Sequence, residues 1–280
     1  MKRLFLILTV LTLALTACDK NKDYIVTIHT EYGDMKLILY DETPLHKKNF
    51  LELASEGKYD STTWHRVIEG FMIQGGDVNA KEGTREKPED RIPAEIVEGF
   101  WHTKGSLAAA RQGDNMNPEK KSSAVQFYIV QGKVYDEDEL TTDRAKLAEA
   151  IGKLFEMPEY DTLMQEYIQL QKNRDYDGIN QFMIKCKTIA ESVSEEDLDM
   201  PIDPERLDGY TTLGGAPHLD REYTVFGRVV EGLDVIDKIA AVKTGRMDKP
   251  VQNSYITMEV GMMPKKKITE LYGYEYPEQN

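Results

Sequence analysis

Short apolar runs of strand character lie at both ends of this chain, and the 80 residues 134–213 between them carry helical periodicity instead. On the N-terminal side, 24–30 (YIVTIHT) and 35–40 (MKLILY) flank Glu31-Tyr32-Gly33-Asp34, the signature of a hairpin. Further runs follow at 105–110 and 125–130, then at 223–229 and 254–260 after the helical block. Thr43-Pro44 supplies a cap and a first-turn proline for a helix over about 44–56, with Leu45, Phe50, Leu51 and Ala54 toward a core. A second helix is expected at about 232–241. Many short strands and two helices predict a mainly β fold, a closed antiparallel barrel into which the central block is inserted.

That block, 134–213, holds 20 Asp/Glu against 8 Lys/Arg, a net charge of −12 out of −14 for the whole chain. Three helices are expected in it. Asp143 caps the first, with Leu147, Ile151, Leu154 and Phe155 on one face. Pro158 opens the second, with Leu163, Met164, Tyr167 and Ile168. Asp177 caps the third, along Ile179, Phe182, Met183, Cys186, Ile189, Ala190 and Val193. Cys186 on that apolar face is expected to be a buried small hydrophobe rather than a reactive thiol.

The N-terminus has the grammar of an export signal. Met1-Lys2-Arg3 precedes an apolar run of 12 residues, Leu4 to Leu15, too short to span a bilayer. It ends in Leu15-Thr16-Ala17-Cys18, a lipobox-like sequence. We expect residues 1–17 to be a lipoprotein signal peptide, Cys18 to be lipidated, and 18–23 to form a tether. The chain would then be anchored to a bacterial envelope membrane, outside the cytoplasm, at the periplasm or cell surface. Loss of Lys2 and Arg3 would take the net charge from −14 to −16, a balance that argues against nucleic acid as a partner. The five histidines are scattered and no Cys/His cluster has metal-ligand spacing, so neither a metal nor a cofactor is expected.

The stretch WHRVIEGFMIQGGD (64–77) threads His65, Arg66, Gln74 and Asp77 among apolar residues and closes on Gly75-Gly76. It closely resembles the signature of the cyclophilins, a class of peptidyl-prolyl cis–trans isomerases. GSLAAARQGDNMNPEKKSSAVQFYIV (105–130) and HLDREYTVFGRVVEGLDVIDKI (218–239) are similar to later segments of that family, in the same order. The resemblance covers about 24–133 and 214–262, and leaves 134–213 as an acidic helical insertion and 263–280 as a C-terminal tail. It implies a closed eight-stranded barrel with two capping helices.

The chemistry needs neither nucleophile nor metal. A prolyl peptide bond must lose its amide resonance to rotate, against a barrier of about 18–20 kcal/mol. A catalyst has to favour the twisted amide, whose nitrogen carries a lone pair, over the planar one. A permanently charged guanidinium donating to that nitrogen does so, and a dry apolar pocket favours the less polar twisted form. Carried over by position, the resemblance makes Arg66 the donor and Gln74 its orienting partner, helped by Gln126. Phe71, Met72, Tyr128 and Leu219 would wall the proline pocket, with Tyr223 at its rim. Arg111 would hold the preceding peptide through its backbone, with Ala110 beside it among the substrate-binding residues. His218 stands where many members carry a Trp that contacts cyclosporin. Tyr128 stands where a Phe is usual, and its hydroxyl requires a partner. Gly75-Gly76 would let the strand turn without crowding the site, with Val67, Ile68 and Ile73 facing the interior. The expected partners are proline-containing unfolded or exported polypeptides. The competing readings are a chaperone that holds proline segments, or a scaffold with a vestigial site.

Overall fold

The computed structural model describes residues 21–276, so Cys18 and the apolar leader lie outside the described residues. Nine strands form one antiparallel sheet: β1 (Lys22–Thr30), β2 (Gly33–Leu39), β3 (Thr62–Thr63), β4 (Arg66–Ile68), β5 (Met72–Gly75), β6 (Ser106–Ala109), β7 (Phe127–Val130), β8 (Val225–Glu231) and β9 (Tyr255–Pro264). Their order across the sheet is β3-β9-β1-β2-β8-β6-β7-β5-β4. This corrects the closed eight-stranded barrel. The two edge strands, β3 and β4, do not pair with each other; they are consecutive pieces of one chain. At Trp64-His65 the backbone changes partner, Trp64 N–H donating to Ser254 O at 3.0 Å and His65 N–H to Gln74 O at 3.0 Å. The sheet curls until its edges are joined by two residues of main chain rather than by a ladder.

Side chains alternate across the strands, so each strand feeds two apolar layers. Val67, Ile73, Leu107, Phe127 and Ile129 enter the inner core with Phe50 and Ala54 of α1 (Pro44–Ser55), Val78 of α2 (Val78–Glu82) and Val235, Ile236 and Ile239 of α9 (Leu233–Ala240). Met72, Ala108, Tyr128 and Val130 form an outer layer. Ile68 joins that outer layer, not the interior as expected, because it shares the face of Arg66 two residues before it. Gly75 and Gly76 answer to the core and not to the site. A Cβ on Gly75 would lie 2.7 Å from Ile256 Cδ1, and one on Gly76, at φ +77°, 2.5 Å from the Phe127 ring.

Helix α1 begins at Pro44 as expected, but Thr43 gives it no side-chain cap and Leu45 is exposed. Glu95 serves instead, its carboxylate accepting from Leu45 N–H and His46 N–H, each at 3.0 Å, and contacting His46 Nδ1 at 2.6 Å. The segment expected as a tail continues β9 to Pro264 and then forms α10 (Lys265–Tyr272), whose Ile268 is buried in the outer layer beside Ile25, Ile38 and Tyr40.

Between β7 and β8 lie α3 (Glu137–Thr141), α4 (Arg144–Phe155), α5 (Asp161–Asn173), α6 (Tyr176–Lys185), α7 (Lys187–Ser194) and α8 (Pro204–Thr212). Asp143 caps α4 through the N–H groups of Ala145 and Lys146. The helix expected behind Asp177 is two helices bent at Cys186, and its cap is Asp175, which accepts from Gly178 N–H. Leu147, Ile151, Leu154, Phe182, Cys186 and Ala190 make a core separate from the sheet. Burial there raises the Cys186 thiol above its ordinary value, which keeps it a neutral apolar side chain. The block leaves and rejoins the sheet at one point, where Lys133 and Gly215 form an antiparallel bridge.

Candidate active site

The groove lies on the outer face of the sheet, where β4, β5, β7 and β6 adjoin. Antiparallel pairing of β4 with β5 sets Arg66 opposite Gln74, and pairing of β5 with β7 sets Gln74 opposite Tyr128. A cavity of about 270 Å³ results, lined by Arg66, Phe71, Met72, Gln74, Ala110, Arg111, Tyr128, Leu219 and Tyr223. Sequence reasoning singled out each of these. Gln126 lines the adjoining depression and accepts from Gln74 Nε2 at 3.0 Å. His218 is set back from the lining, its ring 5.3 Å from that of Phe71.

The floor and one wall are apolar. Met72, Tyr128 and Leu219 are buried, and Tyr223 meets the Tyr128 ring edge-on at 5.9 Å. Tyr128 turns its hydroxyl out of the groove to His102 Nε2 at 3.1 Å, and burial pushes this phenol well above its ordinary value. The partner that the hydroxyl required is therefore behind the floor, and the groove sees the ring.

Two guanidiniums reach the groove and are held differently. Arg111 has 5% of its side chain exposed and is bound by Glu222 O at 2.8 Å, Gln112 O at 3.0 Å, Asp114 at 2.5 Å and the Glu222 carboxylate at 3.1 Å, above the Tyr223 ring. Its backbone is what remains for a ligand: Ala110 pairs both ways, with Gln126 O and Ser123 N–H, and the strand then ends. Arg66 is 43% exposed and touches Asp248 at 3.4 Å, a long contact between solvated groups.

Some residues around the site were not singled out in the sequence. Asp248 arrives from a turn before β9 in which Met247 and Asp248 adopt left-handed φ of 60° and 57°. His102 and Asp220 stand behind the floor, with Asp220 Oδ1 accepting from His102 N–H at 3.0 Å. The pairs are 182 and 118 residues apart in the chain, so no local pattern could have joined them.

The family model "Cyclophilin type peptidyl-prolyl cis-trans isomerase/CLD" matches residues 25–156 and 201–260, well over half of the chain. A protein of Streptococcus pyogenes serotype M6 proposed to be a bifunctional phosphatase/peptidyl-prolyl cis-trans isomerase is 30% identical over 240 residues, 84% of this chain and 38% of that longer protein. A Staphylococcus epidermidis protein proposed to be a peptidyl-prolyl cis-trans isomerase is 29% identical over 237 residues, covering 82% of this chain and 88% of its own length. Among solved structures, a Cryptosporidium parvum cyclophilin-type isomerase superposes with a TM-score of 0.50 at 19% identity, over 85% of this chain and 96% of its own, a likeness of fold.

Proposed function

We propose, for a chain that belongs to the cyclophilin-type peptidyl-prolyl cis–trans isomerase family and is such an enzyme, that the Arg66 groove is where a proline is held while its peptide bond turns. The observation that carries this is the pairing of a half-exposed, loosely held guanidinium with an apolar floor that turns the Tyr128 hydroxyl away. A proline ring fits against Phe71, Met72, Tyr128 and Leu219, where little water competes for the amide. The residue before the proline pairs with the backbone at Arg111. As the bond twists, the nitrogen acquires a lone pair and Arg66 moves from Asp248 to donate to it. Gln74, fixed by Gln126, keeps the guanidinium over the ring. The substrate offers Arg66 a lone pair only in the twisted state, so the exchange of Asp248 for the nitrogen lowers the barrier without tightening the ground state.

The clients in this reading are proline-containing unfolded segments of exported proteins, and the chain is tethered to the envelope through an acylated Cys18. The −12 charge of the insertion favours basic segments. The test is protease-coupled turnover of an alanyl-prolyl tetrapeptide by the chain from residue 19 onward. Exchange at the uncatalysed rate, tens to hundreds of seconds, would rule out the reading.

A further inference from the structure

No residue of the helical insertion lines the groove, yet its last helix is bound to the groove's frame. Asp220 is the hub. Its side chain is 6% exposed and lies one residue beyond Leu219 of the pocket wall. From α8, Arg206 Nε donates to Oδ2 at 2.8 Å and the Tyr210 hydroxyl donates to Oδ1 at 2.6 Å. From the sheet side, the His102 ring lies 3.2 Å from Oδ1 through Nδ1 and 3.1 Å from the Tyr128 hydroxyl through Nε2. Although burial alone would push the Asp220 carboxyl up, the hydrogen bonds from His102, Tyr210 and Arg206 hold it below its ordinary value. An ionised carboxylate only accepts, so His102 donates to Asp220 through Nδ1 while its Nε2 faces the Tyr128 hydroxyl. Donation thus converges on Asp220 from both sides, and the His102 ring links that carboxylate to the pocket floor. Its far end is fixed: the fully buried ring of Tyr210 packs on Trp101 and Leu140, and Arg206 lies over the Trp101 ring at 5.7 Å.

We propose that Arg206 and Tyr210 of the insertion are positioning residues for the prolyl pocket, acting through Asp220 and His102 on the Tyr128 ring and on Leu219. The insertion is then not an appendage to the catalytic sheet but, through α8, a support of its floor. This rests on the isomerase reading of the groove for its kinetic consequence, though not for the coupling itself.

The test is a double-mutant cycle in the full chain. Tyr210→Phe removes one hydroxyl and keeps the ring; Tyr128→Phe removes the bond by which the floor receives the effect. We expect Tyr210→Phe to reduce kcat/KM on a proline tetrapeptide by on the order of fivefold alone, and by less than about twofold in the Tyr128→Phe background. The same cycle is measured by titrating a non-isomerisable proline peptide, which reads the coupling even where turnover is low. Equal losses in both backgrounds, or none in either, in both readouts would overturn the proposal and leave α8 a fastening of the insertion. Absence of turnover in the unmodified chain, with coupled losses in peptide affinity, would instead count against the isomerase reading and keep the positioning role.

Discussion

Arg66 and Arg111 show how one residue type takes two roles within one groove. Arg111 is enclosed and bonded on several sides, so it can move only with the loop that holds it. Arg66 shares its charge with Asp248 across solvent, a contact worth at most about 1 kcal/mol. Buried imidazoles set a different property of the molecule. Burial depresses His46, and partial burial His65, below the ordinary 6.5, with the Glu95 carboxylate opposing it at His46. Below that value the unfolded chain binds more protons than the folded one. Their contribution to stability is therefore complete above about pH 6.5 and is lost as pH falls toward the depressed values. Asp220 is depressed as well, so its contribution holds above its ordinary 3.8 and disappears below it. Urea midpoints should fall between about pH 7 and about pH 5, and less steeply in His46→Gln. A midpoint constant across that interval would contradict the assignment.

At the scale of elements, the insertion divides at a bridge. Thr142 and Asp199 pair antiparallel, with Asp143 N–H on Leu198 O at 2.8 Å and Met200 N–H on Thr141 O at 2.6 Å. Helices α4 to α7, with their own core, are therefore closed off by a neck, while α3 and α8 stay on the sheet side with Trp101. Replacing 143–198 by a short Gly/Ser linker should keep turnover of a tetrapeptide within about twofold and reduce the preference for basic unfolded proteins at low salt. Loss of tetrapeptide turnover in a folded variant would show that the separation at the neck is wrong. The elements were legible where a local rule sufficed. Asp143 announced α4, and the apolar alternation announced most of the sheet. The bend at Cys186 was not legible, since the apolar stripe continues across it from α6 to α7. Helix α8 was missed because PERLDGYTT is polar and buries only Tyr210 fully. The site followed the same division. Arg66, Phe71, Met72 and Gln74 sit on one hairpin and could be read together, whereas Asp248 and the Asp220 hub are assembled by folding.

The whole molecule places a weakly restrained cation over an apolar floor on one side of a sheet and concentrates acidic charge in a body attached beside it. The C-terminal helix and the residues after it cover the same outer layer from its other end, through Ile268 and Tyr274. In the proposed mechanism catalysis belongs to the groove, and the surrounding mass supports it or selects what reaches it. The claim is tested most directly by the turnover of Arg66→Ala on a proline tetrapeptide, measured beside its melting temperature. We predict at least a tenfold loss of kcat/KM, about 1.4 kcal/mol of transition-state stabilisation, with an unchanged melting temperature. Turnover within about twofold of the unmodified chain, in a folded variant, would contradict the account.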